Sequence, residues 1–367
     1  MQVLEGVVSG VVDAHAHFWN PARTPWAANR LSRAYRFMPS AVGDLVFAAA
    51  VPQADREFAL TPRNVARTYE PTQYEHDAHS VRQAVGVPVE SVVFVESHWR
   101  AGDHSGVDEA RYVAQLPFGR DGAPKLGAFV AHVDPRHHNV TAQLDLIGAA
   151  VPQLRGVRLM GARHSDPKVR DWIDADAVLI SPDFLDGFQR IAERDLVFET
   201  FVYSHQLYDV VSLAREFPDT PIVVDHLGVP VGVFGPVGSR TGVTAAARAD
   251  VLRLWRERTA TLAQNRNVVM KLSGLAFPLL GYGRMPSGNI GSQATLQEMI
   301  TPIVDHLLLH FGAERLIFGS NFPIDKPNAS LANIIAGLAE ILAPHGDALL
   351  RRVFRDNARR IYQIDSP

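Results

Sequence analysis

The chain contains no cysteine among its 367 residues. This absence excludes disulfides, thiolate nucleophiles and cysteine-based metal sites. No run of about 18 apolar residues occurs, so no membrane-spanning helix is expected, and the first residues lack the basic start and continuous apolar stretch of a signal peptide. The formal net charge of −3 argues against a nucleic-acid or membrane partner. We therefore expect a cytoplasmic protein that acts on a small molecule.

Three common catalytic signatures are also missing from the sequence: the G-x-S-x-G nucleophile elbow, the phosphate-binding P-loop and the H-E-x-x-H zinc motif. A serine hydrolase is therefore disfavoured. Histidine, in contrast, is plentiful, with 15 residues. In a chain without cysteine it is the side chain best suited to metal binding and to proton transfer near neutral pH.

Eight short apolar segments recur along the chain, and most are followed by a segment of helical period. They are apolar on both faces and rich in β-branched residues, which is typical of parallel strands covered on both sides. The alternation predicts a (β/α)8 TIM barrel. A doubly wound open sheet would require a glycine-rich loop after its first strand, and "DAHAHFWNPA" is not one. The eight segments lie in 6–17, 91–99, 125–135, 154–161, 196–205, 220–228, 267–275 and 315–323.

Three segments are long for simple connections: 18–80, 229–250 and 276–293. In a barrel they would surround the mouth of the active site as specificity loops or lids. No repeats or linkers interrupt the sequence, so one domain over 1–367 is the simplest prediction. Aromatic residues in these segments would either pack the loops onto the barrel or line a pocket for a flat, apolar ligand. They are Phe18, Trp19, Trp26, Phe277 and Tyr282, and Trp19 is our candidate for substrate binding.

His15 and His17 follow the first apolar segment in "VVDAHAHFW". Residues two apart on a strand point to the same face, so both imidazoles are expected at the barrel mouth. There they would be metal ligands or would hydrogen-bond substrate oxygens. The alternative is that they are ordinary polar residues after a strand.

Three charged residues interrupt other apolar strands: Glu96 in "VVFVESHW", Arg158 in "GVRLM" and Lys271 in "VVMKLSG". Burying a charge is costly unless it is paired or bound to metal. Glu96 is therefore a candidate third metal ligand or base. Arg158 and Lys271 are candidates for binding a substrate carboxylate. The alternative for each is a salt bridge between strands, for Arg158 with Glu96 itself.

Two further histidines end predicted strands. His226 follows "PIVVD" and is a candidate catalytic residue, or else a buried structural histidine. Its neighbour Asp225 is expected to point to the opposite face and hold a helix or loop. His205 ends "FETFVYSH" and opens a helix, so it is either catalytic or only a helix-start residue.

The ordered set "VVDAHAHFW", "VVDHLG", "VVMKLSGL" and "RLIFGSNFP", with the closing "VFRDNARRIYQI", resembles the amidohydrolase superfamily. More narrowly, it resembles the amidohydrolase-2 branch, which includes fuconolactonase and pyrone-dicarboxylate lactonase. The resemblance covers nearly the whole chain. It implies a distorted (β/α)8 barrel, with His15 and His17 on strand 1, His226 on strand 6 and, more loosely, His205 on strand 5. It also implies lactone or ester hydrolysis, with one divalent metal, often zinc, in some members and none in others.

Asn321 in "RLIFGSNFPID" departs from that pattern. It occupies the strand-8 position where most members of the superfamily carry an aspartate that binds metal or transfers a proton. An amide forms hydrogen bonds but is no general base. Either another residue is the base, or the reaction needs none, or the chain is an inactivated form. Because "SNFP" is followed by Ile324, Asp325 and Lys326, we favour a natural variant over an engineered one.

The sequence thus predicts a hydrolase of a lactone or related carboxylic ester. The site would comprise His226, His205, Glu96 and Asn321 as catalytic residues, Arg158, Trp19 and Lys271 around the substrate, and His15 and His17 at one divalent metal, zinc being the first candidate. A metal-free site is the alternative. Two other functions stay open: non-oxidative decarboxylation or lyase chemistry on a ring substrate, and a catalytically silent binding protein. Such barrels also associate, so a homo-oligomer is considered.

Overall fold

The computed structural model describes residues 2–24, 34–35, 37–99, 105–282 and 290–364, with backbone alone for 40, 64 and 105. The loop residue Trp26 lies outside these ranges. The eight strands coincide with the eight predicted segments. They are β1 (Val11–Ala16), β2 (Val89–Val95), β3 (Lys125–His132), β4 (Leu154–Met160), β5 (Val197–Phe201), β6 (Ile222–Val224), β7 (Val268–Leu272) and β8 (Leu316–Phe318).

Helices separate consecutive strands and cover the outside of the sheet. Between β1 and β2 lie α1 (Ser40–Ala50), α2 (Gln53–Ala59), α3 (Pro62–Ala66) and α4 (Pro71–Val85). The later connections carry α5 (Ser105–Val113), α6 (Val140–Ala150), α7 (Pro182–Ala192), α8 (Leu207–Glu216), α9 (Ala245–Leu262) and α10 (Gln293–Phe311). After β8 come α11 (Leu331–Leu342), α12 (Asp347–Arg351) and α13 (Asn357–Ile361).

The strands pair in parallel in the order β1 to β8, which confirms the predicted (β/α)8 barrel. The first and last strands meet just beyond their ends. The backbone N–H of Asn321 donates to the carbonyl of His15 at 2.8 Å, and the N–H of His17 donates to the carbonyl of Phe322 at 2.9 Å. The barrel is therefore joined at the end that carries the predicted histidine pair.

Local sequence signals explain several helix ends. Ser330 caps α11 by accepting from the backbone N–H of Asn333, as serine commonly does at a helix start. Ser181 is the N-cap of α7 with Pro182 at the first helical position, although its hydroxyl donates to the carbonyl of Val178 and not to the helix. None of the described helices has the length and apolar character needed to span a membrane.

An apolar layer fills the interior of the barrel below the site. It is built from small and β-branched side chains of the strands, and Tyr362 of the C-terminal segment, fully buried, packs against them. This packing fixes the strand positions from which the next inward-facing residues project toward the mouth. The strand residues of the layer are Val12, Ala14, Val93, Val95, Ala128, Val130, Val197, Val223, Val269 and Ile317.

Candidate active site

A layer of buried charges lies directly above the apolar layer. Glu199, Asp225 and Lys271 each follow, by two residues, an inward-facing valine of β5, β6 or β7, so all three project into the barrel. Lys271 Nζ lies 2.7 Å from Glu199 Oε2 and 3.2 Å from Asp225 Oδ1. The hydroxyl of Tyr362 donates to Glu199 from below. The three side chains are fully buried, and mutual pairing is what makes such burial tolerable. Burial raises the pKa of Glu199 to about 7, although Lys271 opposes the shift.

Arg158 extends this layer toward β2. Its Nε donates to Glu96 Oε1 at 2.9 Å, and its Nη1 lies 3.3 Å from Asp225 Oδ2. Burial would raise the pKa of Glu96, but Arg158 and neighbouring donors outweigh it and lower that pKa to about 2. Burial likewise opposes ionisation of Asp225, yet Lys271 leads the charges that hold its pKa well below the usual range. Both carboxylates are therefore ionised at neutral pH.

His15 and His17 converge above the charged layer, with their Nε2 atoms 3.1 Å apart. The Nδ1 of His17 faces the backbone carbonyls of Val95 and Glu96 at 2.9 and 3.1 Å. Since carbonyls only accept, this nitrogen carries the proton, and the Nε2 of His17 is left as an acceptor. The Nδ1 of His15 lies 3.3 Å from Asp225 Oδ1 and 3.1 Å from Lys271 Nζ. It can therefore donate to the carboxylate or accept from the ammonium, and in the second case His15 Nε2 donates to His17 Nε2.

When the His15 proton is on Nδ1, two acceptor nitrogens face each other, and a cation between them would bind both lone pairs. Imidazoles held through Nδ1 by carbonyls or carboxylates are the usual support for a bound metal, so these residues fit a divalent ion. A second group of possible metal ligands is formed by His15, Asp225 and His226, each of which offers one ligand atom within 4.8 Å of the other two. Asp225, however, already pairs with Lys271 and Arg158. Arg158 Nη1 lies 3.3 Å from His15 Nε2, and its positive charge would weaken metal binding.

His226 lies beside the pair, in a short turn at the end of β6. Its backbone is left-handed, with φ of 52°. Ser273 Oγ accepts from the His226 backbone N–H at 3.2 Å and contacts Nδ1 at 2.8 Å. Gly274 makes room for this ring, since a Cβ there would come within 2.9 Å of it. Burial lowers the pKa of His226 to about 3, so the ring is neutral at pH 7.

Asn321 completes the floor from the end of β8. Its φ is 56°, a left-handed conformation that asparagine tolerates better than most residues. Its Nδ2 donates to Asp325 Oδ1 at 2.7 Å, and the amide oxygen is thereby left for the cavity. Asp325 Oδ2 accepts from the backbone N–H of Ala276 at 2.8 Å. An aspartate at 321 would place a second carboxyl group against Asp325, whereas Asn321 supplies the N–H that Asp325 Oδ1 accepts.

Asp325 has a consequence for stability that can be measured. Burial raises its pKa to about 8, above the ordinary 3.8, so the folded state keeps a proton that the unfolded state loses between those two pH values. Stability should therefore fall as pH rises through that window, by about 1.4 kcal/mol per pH unit at most from this group. In Asp325→Asn this contribution should vanish. Urea unfolding at pH 5, 7 and 8.5 compares the two proteins, and parallel pH profiles would contradict the expectation.

The structure brings most of the predicted site residues together, with two differences in role and one exclusion. Arg158 reaches the cavity but is held by Glu96, which was the alternative interpretation. Lys271 is fully buried beneath the site and cannot meet substrate directly. His205 is exposed at the start of α8, where it stacks near His164 and Tyr203, so it is not among the residues that line the cavity.

Sequence reasoning missed some residues and misplaced one. Asp225 points into the charged layer rather than away from it, because its side chain projects from β6 with the same face as Val223. Glu199 was overlooked, although a carboxylate inside "LVFETF" is the same signal that identified Glu96. Ser273 and Asp325 carried no usable signal, since their roles depend on His226 and Asn321 across the barrel.

Above the floor lies a cavity of about 220 Å³. Helices α1 to α3 form a lid over it, and α2 is tied to the barrel loops through Arg170 Nη1 and Asp55 Oδ1, 2.7 Å apart, and through Gly238. Glu96, Arg158, His17, His226 and Asn321 reach the cavity from below. Its walls include side chains from the barrel loops that are mostly apolar, namely Trp19, His98, Met160, Trp172, Phe201, Phe277 and Ile324.

Fold and site together define a (β/α)8 barrel enzyme with a histidine pair at the carboxyl ends of its strands. An amidohydrolase family model matches residues 12–364, and the chain belongs to that family of hydrolases. It is 28% identical over 279 residues to L-fucono-1,5-lactonase of Burkholderia ambifaria, covering 72% of this chain and 82% of that one. It is 29% identical over 210 residues to the uncharacterized protein y4mH of Sinorhizobium fredii, covering 57% of this chain and 61% of that relative.

Among solved structures, an amidohydrolase of Burkholderia multivorans with bound zinc superimposes with a TM-score of 0.66. The two sequences are 22% identical, and the match covers 97% of this chain and 99% of the other. This likeness establishes a shared fold.

Proposed function

We propose that the protein hydrolyses a lactone by attack of water on the ring carbonyl at the floor of the cavity. The observation that carries the proposal is the convergence of the His15 and His17 Nε2 atoms beside the neutral His226. The lactonase of B. ambifaria supports the same reaction class. Ring opening consumes one water and yields a hydroxyl group, a carboxylate and one proton.

The His15 and His17 Nε2 atoms would hold a divalent metal, for which zinc is the first candidate because histidine nitrogen suits it. The zinc-bound relative from B. multivorans supports this choice. When bound, such an ion acidifies a water molecule and polarises a carbonyl. The carbonyls of Val95 and Glu96 hold Nδ1 of His17, so that its Nε2 lone pair is presented to the ion. His15 would present its own Nε2 lone pair when its Nδ1–H donates to Asp225.

His226 is assigned to the carbonyl oxygen. Ser273 donates its hydroxyl proton to Nδ1, so that Nε2–H faces the cavity as a donor toward the oxygen that becomes negative during attack. A neutral imidazole can fill this role, and the low pKa keeps it neutral. The amide oxygen of Asn321 accepts a hydrogen bond from the attacking water and orients it. The carboxylate of Glu96 is ionised and held by Arg158 rather than acting as the base, and the backbone carbonyl of Glu96 accepts from His17 Nδ1.

A panel of lactones, followed by proton release in weakly buffered solution, tests the reaction class. We expect acid release that is stoichiometric with ring opening and is abolished in His15→Ala. Carbon dioxide evolution from hydroxybenzoates, without acid release from any lactone, would identify a decarboxylase instead. The absence of both activities in zinc-loaded protein would contradict an enzymatic role.

Metal affinity gives a separate prediction centred on Asn321. The double variant Asn321→Asp/Asp325→Asn keeps every hydrogen bond with the roles exchanged, because an asparagine at 325 can accept from Ala276 and donate to the residue at 321. It also turns a carboxylate toward the two histidines. Since a carboxylate is a far stronger zinc ligand than an amide, we expect zinc to bind roughly tenfold more tightly or better. Calorimetric titration measures this. Equal affinity would place the metal away from Asn321.

A further inference from the structure

The cavity has two chemically distinct halves. Most polar groups available to a ligand gather at the floor, where His17, His226 and Asn321 end. Opposite them, the described residues of the lid segment that line the cavity are mostly apolar, with Tyr35 and Asp55 as the polar ones. The apolar ones include Met38, Val46, Phe47, Val51, Phe58 and Val65. One ester group would satisfy the floor, and whatever the ester carries would lie against the lid.

Two polar groups of the cavity wall, Trp172 Nε1 and the His98 ring, are open to a ligand, whereas the polar side chains nearer the lid are already paired. Asp55 pairs with Arg170 at 2.7 Å, and the Arg170 guanidinium lies 4.1 Å from the centre of the Trp172 ring. The hydroxyl of Tyr35 donates to Asp44. Each ligand hydroxyl buried here without a partner would lose its hydrogen bonds to water, at a cost of about 1–3 kcal/mol. A carboxylate carried by the ligand would lie beside the carboxylate of Asp55, which disfavours an acidic ligand.

Aromatic rings narrow the space directly above the floor. Phe277 and Phe201 lie 5.4 and 5.6 Å from the His226 ring, between centroids. Phe58 of the lid meets Trp172 and Phe277 edge-on at 4.8 and 5.7 Å. Such walls favour a flat or apolar group, since aromatic contacts add to the free energy of burying apolar surface.

We propose that the substrate is an uncharged lactone bearing an apolar substituent, such as a fused aryl ring or an alkyl chain, rather than a sugar lactone. The ester lies on the floor at His226 and Asn321, and the substituent lies between Phe277 and the lid helices. This inference rests on the proposed lactone hydrolysis and specifies its substrate class. The lid, absent from a simple strand-to-helix connection, is then the specificity element.

Steady-state kinetics on 3,4-dihydrocoumarin, δ-decalactone, δ-valerolactone and L-fucono-1,5-lactone test the proposal. We expect kcat/KM for the first two to exceed that for the sugar lactone by roughly 100-fold, as burial of a ring or chain predicts. Phe47→Gln, on the inner face of α1, should lower kcat/KM for the apolar lactones at least tenfold and change that for δ-valerolactone by less than about threefold. Leu45→Gln, at an exposed position of the same helix, is the matched control and should change neither.

Binding of lactams that cannot be hydrolysed under these conditions separates this inference from the proposed function. If 3,4-dihydro-2-quinolinone binds at least tenfold more tightly than δ-valerolactam while no lactone is hydrolysed, the ligand class stands and the hydrolase proposal fails. If L-fucono-1,5-lactone is the best substrate, hydrolysis stands and the apolar substrate class is overturned. Equal effects of Phe47→Gln and Leu45→Gln would also overturn it.

Discussion

His226→Ala is expected to lower kcat for lactone hydrolysis by roughly 10²–10³-fold, the usual effect of removing one donor to a developing oxyanion. The ring is fixed by Ser273 and by the room that Gly274 leaves, so that its second nitrogen faces the cavity. The amide N–H₂ of Asn321 cannot replace this donor, because it is committed to Asp325. The loss should fall on kcat more than on KM, since the hydrogen bond strengthens only as negative charge develops.

Two further variants make this result interpretable. His226→Gln retains a donor of similar reach and should recover part of the rate, which a purely structural role would not produce. His205→Ala removes an exposed ring outside the cavity and should leave kcat unchanged. A His226→Ala enzyme with nearly normal kcat would remove His226 from the mechanism. Zinc affinity unchanged from the parent protein would show that the metal site survives the substitution.

Lys271→Met is expected to destabilise the folded protein by roughly 3–5 kcal/mol, the typical cost of breaking a buried ion pair. Lys271 is fully buried and is the cation shared by Glu199 and Asp225. Methionine fills much of the same volume, so the loss reports the unpaired charges more than an empty space. Asp225 supports His15, and zinc affinity should therefore also fall.

Lys326→Met is the matched control, because Lys326 forms an ion pair with Asp77 but is 41% exposed. Pairs of this kind are worth about 0–1 kcal/mol. Urea unfolding of both variants gives the comparison. Similar losses in the two would mean that the buried layer is not held together by Lys271. A large loss that is relieved in Lys271→Met/Glu199→Gln would support the charge pairing.

The fold could be predicted from the sequence more completely than the site. All eight strands were predictable, because a parallel strand buried on both faces leaves a continuous apolar run. The same property identified Glu96, Arg158 and Lys271 as candidates, since a charge inside such an apolar run requires a partner. The identity of the partner was beyond reach, because it depends on which strands face each other across the barrel.

The contact between Asn321 and Asp325 shows more clearly what could not be predicted from the sequence. The sequence revealed that a carboxylate is missing at the end of β8, and this raised doubt about the family's usual proton transfer. It did not reveal that the carboxylate of Asp325 lies behind the amide and fixes its orientation, because that contact depends on the turn after β8. Segment 18–80 was predicted to be a specificity loop or lid at the mouth of the barrel. The sequence did not predict that three of its helices close the cavity.

The central claim, attack of water on a lactone carbonyl at this floor, is tested most directly by a single turnover in water labelled with ¹⁸O. Mass spectrometry of the hydroxy acid formed from 3,4-dihydrocoumarin, if that lactone is turned over, or otherwise from the best lactone of the panel, locates the label. We predict one ¹⁸O atom in the carboxylate and none in the hydroxyl group. Label in the hydroxyl group, or a product formed without ¹⁸O, would contradict attack at the carbonyl.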